Sequence, residues 1–246
     1  MLQPPLSRNE VHVWLVPIAP DCVEPLSPLL APAERARASQ FRFARDSQQF
    51  IVACASRRIL LGEYLNMDPL TLRFGEGANG KPFLLDGSHR SRLRFNTSHC
   101  QGLVIHAFAS DREVGIDIES VSDRLETETI AARFFSPREH AALRALPKAD
   151  QATGFLSLWT RKEALLKAAG LGLSWPLDSV EFSWSAKEIV AVKTNDPATP
   201  IWWSVCELPV PAGYVGALAA AGDGYWVKTF NWCEKREHRA ELAPAR

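Results

Sequence analysis

One spaced pattern occurs twice along the chain. Phe50 leads to Arg57-Arg58, then Leu60-Leu61, and later to Pro69-Leu70 and Phe74; Phe155 leads by the same steps to Lys162-Glu163, then Leu165-Leu166, and later to Pro176-Leu177 and Phe182. A helix-to-strand pattern that repeats commits each copy to the same kind of supersecondary unit, so the echo points to two related α+β lobes. At 246 residues the chain is long enough to bury a large core. The join falls near Ser110–Glu113, giving an N-terminal lobe over 1–111 and a C-terminal lobe over 112–232. The remaining segment, 233–246, is charged, lacks an apolar stripe and is expected to be disordered.

Residues 11–17 read as the first strand. A helix opens near Pro32, where proline is tolerated in the first turn. A longer helix covers about 47–65, where Phe50, Cys54, Arg57, Arg58, Leu61 and Leu65 fall near helical spacing. A strand at 70–74, a loop containing Gly75, Gly77 and Gly80, and strands near 93–95, 103–109 and 114–119 follow. The second half shows helices over 130–146 and 150–168, with Pro137 starting a turn, then strands near 180–183, 189–193, 201–205, 215–220 and 225–230.

Lys plus Arg equals Asp plus Glu at 28 each, so no global field favours nucleic acid or an acidic membrane surface. Locally the balance breaks. Arg35, Arg37, Arg42, Arg45, Arg57 and Arg58 make 35–58 basic, whereas Asp111, Glu113, Asp117, Glu119, Asp123, Glu126 and Glu128 make 111–128 acidic. A basic region and an acidic, metal-capable region on one chain suit a ligand carrying several phosphates. The five cysteines are scattered and form no C-x-x-C, which reads as reduced core filler. The first residues lack the charged-then-apolar pattern of a signal, and no 18-residue apolar run occurs, so the expectation is a cytoplasmic protein.

The acidic region contains Val-Gly-Ile-Asp-Ile-Glu at 114–119. Ile116 and Ile118 mark the buried face of a strand, and alternation sends Asp117 and Glu119 together to the other face, roughly 7 Å apart. Like charges so placed raise a pKa unless a cation neutralises them. In Leu-Trp-Thr-Arg-Lys-Glu-Ala-Leu-Leu-Lys at 158–167, helical spacing puts Glu163 and Lys167 on one face, one turn apart. An oxygen-only set of Asp117, Glu119 and Glu163 suits Mg²⁺, which usually completes its shell with waters and substrate phosphates.

Taken in order, Gly80-Lys-Pro-Phe83, Phe95-Asn-Thr-Ser-His99, Gly115-Ile-Asp-Ile-Glu119, Arg133-Phe-Phe-Ser-Pro-Arg-Glu139 and Trp159-Thr-Arg-Lys-Glu-Ala-Leu-Leu-Lys167 resemble the surfactin-type 4′-phosphopantetheinyl transferases over roughly residues 31–182. The resemblance implies a monomer of two pseudo-symmetric α+β lobes that binds coenzyme A between them. It implies transfer of the 4′-phosphopantetheine arm to a serine of an acyl, peptidyl or aryl carrier protein, with release of adenosine 3′,5′-bisphosphate. Carried over by motif, Asp117, Glu119 and Glu163 hold Mg²⁺. Lys167 and Lys162 face the phosphates, Lys81 and Pro82 border the adenine end, and Ser98 and His99 contact phosphate, His99 meeting the 3′-phosphate. Glu163 takes the serine proton, directly or through a water, and carrier docking falls near Arg133 and Arg138. Glu34, Gln48 and Gln49 depart from the family, which carries basic residues in this region to grip the 3′-phosphate; Arg37, Arg45 and Arg58 are the candidates to replace them, although Arg57 or Arg58 also reads as an anchor between helices. Two rival readings are a catalytically silent carrier-binding paralogue and another Mg²⁺-dependent phosphotransferase.

Overall fold

The computed structural model describes residues 5–121, 127–172, 175–183, 187–191 and 202–232. The first half runs β1 (Glu10–Pro17), α1 (Pro20–Leu26), α2 (Pro32–Ala38), α3 (Ala44–Leu65), β2 (Phe74–Glu76), β3 (Pro82–Asp86), β4 (His89–Arg90), β5 (Leu93–Cys100) and β6 (Leu103–Ser110). The second half runs β7 (Val114–Ser120), α4 (Thr127–Phe134), α5 (Pro137–Ala145), α6 (Lys148–Ala169), β8 (Lys187–Ala191), β9 (Trp202–Glu207), β10 (Tyr214–Ala221) and β11 (Trp226–Asn231). The fold class is therefore α+β.

Several strands are apolar on both faces, and such strands must be covered twice. In β1, Trp14 and Val16 enter one core while Val11, Val13 and Leu15 enter another; β6 divides Val104 and Phe108 from Ile105 and Ala107 in the same way. The result is two four-stranded sheets, β11-β1-β6-β5 and β7-β10-β9-β8, face to face. Their shared core joins Val11, Val13, Leu15 and Ile105 to Ile116, Ile118, Leu218 and Ala220. Helix α3 covers the outer side of the first sheet and α6 that of the second, each over its own core.

A duplicated plan is carried in three dimensions, one residue out of the register of the sequence echo, which sets Arg58 against Glu163. Helices α3 and α6 each span 22 residues, end on a left-handed residue (Asn66, φ 52°; Gly170, φ 68°) and are followed by a 3-10 turn, Pro69–Thr71 or Leu177–Ser179. Each turn is latched by a buried cation. Arg58 Nη1 donates to the Pro69 and Leu72 carbonyls at 3.1 and 3.2 Å and its Nε to Glu34 at 2.7 Å. Lys162 Nζ donates to the Leu177 and Val180 carbonyls at 2.8 and 2.6 Å and pairs with Glu139 at 2.9 Å. Glu34 and Glu139 stand at the same place in their copies, third in Pro-Ala-Glu and Pro-Arg-Glu at the starts of α2 and α5, and each also accepts the N–H that precedes its helix, of Ala31 and of Ser136, at 2.8 Å.

The structure corrects three expectations. Strand β11 pairs in parallel with β1, from Glu10↔Trp226 to Leu15↔Asn231, so 226–231 complete the first sheet although they lie in the segment assigned to the second lobe. The open edge of β1 is covered through a Glu10–Lys228 pair at 2.6 Å and Phe230 stacked 4.8 Å from Trp14. Residues 70–74 turn before they extend, because Asp68 accepts the Leu70 N–H at 2.9 Å. Residues 180–183 form no strand, the Val180 and Ser183 carbonyls being taken by the Lys162 and Arg161 side chains. Residues 130–146, expected to be helical with a turn starting at Pro137, are two helices, since Ser136 caps a fresh start at Pro137. Residues 233–246 lie outside the described residues. Among the described residues no helix is long and apolar enough to cross a membrane.

Candidate active site at the seam of the two sheets

Gly115 lets β7 lie directly on α6. A Cβ there would fall inside the Ala164 carbonyl oxygen and the Ala168 amide nitrogen, so any larger residue pushes strand and helix apart. With that approach made, Ile116 and Ile118 turn into the inter-sheet core, and Asp117 and Glu119 alternate to the side of α6 that carries Glu163 and Lys167. The first sheet joins here too. Asn96 on β5 accepts the Ile116 N–H through Oδ1 at 2.8 Å, stitching β5 to β7.

Asp117, 4% exposed, is the centre of the site. Its Oδ1 accepts from Ser98 Oγ at 2.8 Å and from Lys167 Nζ at 2.6 Å, and Lys167 also donates to Ser98 Oγ at 3.0 Å. Asp117 Oδ2 and Glu163 Oε1 are buried without a hydrogen-bond partner among the described residues. Burial pushes Glu119 up to about 7, helped by the Asp117 and Glu163 carboxylates and opposed by Lys167. Burial likewise raises Glu163, with Lys167 opposing and Asp117 adding to the rise. Three carboxylates thus share one ammonium, leaving negative charge and two orphaned oxygens for a cation to satisfy. Among the described residues no three His, Cys, Asp or Glu side chains are drawn close enough to hold a metal in this arrangement, in which Lys167 takes the neutralising place on Asp117. The donor chemistry nevertheless fits a hard divalent ion: oxygen only, acid-rich and under-neutralised.

The other candidates divide. Ser98 and His99 lie beside this cluster at the end of β5, and Gln49 of α3 reaches the same place, donating to His99 Nδ1 at 2.7 Å and to the Cys100 carbonyl at 3.0 Å. The surrounding protein and the Lys167 ammonium hold His99 below its usual pKa. Arg37 and Arg45 are exposed, with guanidiniums 5.3 Å from the Phe50 ring and 5.6 Å from the Phe43 ring, respectively. Arg58 is buried in its latch, as the anchor reading has it. Lys162 is not brought to the carboxylates: 1% exposed and paired with Glu139, it is the second latch, and burial pulls its pKa down against that partner. Lys81 spends its donors on Glu113 (3.2 Å) and on the Val114 and Ala168 carbonyls (3.0 Å each), tying β7 to the end of α6. Pro82 is half-buried at the start of β3. Arg133 is exposed, and Arg138, 88% exposed, is 3.6 Å from Glu181.

Sequence reasoning assigned no role to Asn96 or Glu139, and read Glu34 and Gln49 only as departures from the family's basic residues. The repeated Pro-x-Glu and the capping signature Ser136-x-x-Glu139 carried a signal for two of them. The others reveal themselves only through pairings between distant segments.

The seam is acid-rich with one lysine beside it, and the first lobe carries exposed arginines. The profile of the 4′-phosphopantetheinyl transferase superfamily matches residues 113–219, and that of the 4′-phosphopantetheinyl transferase N-terminal region matches 19–111. The 4′-phosphopantetheinyl transferase HetI of Nostoc sp. is 36% identical over 229 residues, covering 92% of this chain and 94% of the relative. Sfp of Bacillus subtilis, also a 4′-phosphopantetheinyl transferase, is 31% identical over 205 residues, covering 83% and 88%. The human L-aminoadipate-semialdehyde dehydrogenase-phosphopantetheinyl transferase is 32% identical over 164 residues, covering 63% and 53%. The chain belongs to the 4′-phosphopantetheinyl transferase superfamily.

Proposed function

We propose that the protein transfers the 4′-phosphopantetheine group from coenzyme A to a serine hydroxyl of an apo acyl or peptidyl carrier protein, releasing adenosine 3′,5′-bisphosphate. The observation that carries this reading is the seam itself, where Ser98, Asp117 and Lys167 are mutually bonded and two buried carboxylate oxygens face them without partners among the described residues. Asp117, Glu119 and Glu163 would hold Mg²⁺, which when bound supplies positive charge against the diphosphate. Transfer of this kind asks the protein for positioning and charge neutralisation more than for covalent chemistry. Lys167 would neutralise a phosphate oxygen. Glu163, with its pKa raised by burial, accepts the serine proton as the new O–P bond forms and the bond to the departing bisphosphate breaks. His99, Arg37 and Arg45 remain the groups for the 3′-phosphate. Arg133 and Arg138, exposed on the second lobe, are the cations offered to an acidic carrier.

The test is to incubate the protein with coenzyme A, Mg²⁺ and a panel of apo carriers. A mass gain of one phosphopantetheine on the modified serine is the expected result. No gain on any carrier, with carrier binding intact, would replace this reading by that of a silent binding protein.

A further inference from the structure

We propose that Gln49 is a positioning residue that fixes His99 in its Nε2–H tautomer, so that the ring presents a neutral N–H donor to a phosphate oxygen. The functional half of this inference rests on the reading of His99 as a contact to the 3′-phosphate of coenzyme A. The structural half rests on donor arithmetic. A backbone carbonyl can only accept, so the Gln49 group 3.0 Å from the Cys100 oxygen must be the amide N–H₂. The same nitrogen lies 2.7 Å from His99 Nδ1, and its second hydrogen points there. Nδ1 must then carry a lone pair, which leaves the ring proton on Nε2. An imidazolium would set an N–H against an N–H. Burial and the nearby Lys167 ammonium hold the ring's pKa down, outweighing its own backbone carbonyl and Asp117, which favour a charged ring.

The test combines a spectrum with kinetics. In ¹⁵N-labelled protein, long-range ¹H–¹⁵N correlations of the His99 ring should show Nε2–H in the wild type. Gln49→Glu, which offers an acceptor in place of the donor, should move the proton to Nδ1. Gln49→Ala should raise KM for coenzyme A by about fivefold to tenfold with kcat within about twofold, the pattern of a lost uniform-binding contact. The same variant should leave KM for dephospho-coenzyme A unchanged. An Nδ1–H ring in the wild type, or wild-type KM in Gln49→Ala beside a raised KM in His99→Ala, overturns the proposal. If His99→Ala itself leaves KM for coenzyme A unchanged, the phosphate reading of His99 fails, and with it the functional half of the proposal; the spectrum still decides whether Gln49 sets the ring.

Discussion

Buried titratable groups in this chain are arranged for opposite purposes, and His106 shows the structural kind. It is fully enclosed between Ser56 and Thr97, each 2.8 Å from a ring nitrogen, and burial, with Arg57 and His99 adding to the effect, brings it from the usual 6.5 down to about 3. The unfolded chain therefore binds a proton that the folded chain refuses over the window from about 6.5 to about 3. Stability contributed by the neutral ring is fully present above that window and falls with acid, by roughly 2 kcal/mol between pH 7 and pH 5. Urea titrations at those two pH values should show this loss in the wild type and a smaller one in His106→Gln; equal losses would place the acid sensitivity elsewhere. Glu139 makes the complementary case. Glu139→Ala strands the Lys162 ammonium in the interior and should cost about 3–5 kcal/mol, while activity per folded molecule stays near wild type. A variant of wild-type stability would show that the two carbonyls alone satisfy Lys162. The charge patterning of 111–128 brought Asp117 and Glu119 forward as candidates, but Lys162, one position before Glu163, looked equally available. Sequence gives the helix face only approximately, and burial against Phe135 and Phe182 decided the matter.

At the scale of elements, the site depends on how closely β7 approaches α6. Gly115→Ala adds one methyl group against backbone atoms that have no rotamer to yield. It should cost at least about 1–3 kcal/mol and reduce turnover more than tenfold, since separating Asp117 from Glu163 and Lys167 by even about 1 Å misplaces the reacting groups. Thermal melts and steady-state turnover measured on the same preparation check this, and an unperturbed variant would mean that strand and helix are free to slide. The alternation of Ile116 and Ile118 made the strand and its acidic face readable in advance. The approach distance was not readable, because a glycine inside a strand is equally compatible with a bulge. Two other misreadings share a cause in part. Residues 70–74 and 180–183 carry strand-like apolar residues, but side chains from α3 and α6 take the carbonyls of Leu72, Val180 and Ser183, a tertiary override to which Asp68 adds a local cap on Leu70 in the first case.

At the scale of the whole molecule, the duplicated plan was legible in the echo, and the exchange between its halves was not. The shared inter-sheet core and the return of β11 to β1 make each half depend on the other. Residues 1–111 expressed alone should therefore lack a cooperative thermal transition, because β1 loses β11 and the first sheet exposes Val11, Val13, Leu15 and Ile105 to water; a sharp, reversible melt of that fragment would show an autonomous lobe. The same arrangement explains why the carboxylates of β7, the serine of β5 and the lysine of α6 meet only in the assembled molecule. The most direct measurement of that claim is turnover of an apo carrier by Asp117→Asn and Glu163→Gln at saturating coenzyme A and Mg²⁺, with melting temperatures recorded alongside. The amide introduced by Asp117→Asn retains an Oδ1 acceptor for Ser98 and Lys167, so both variants should melt within a few degrees of wild type while turnover falls by about a hundredfold or more. Near-normal turnover in either variant would contradict the assignment of the seam as the active site.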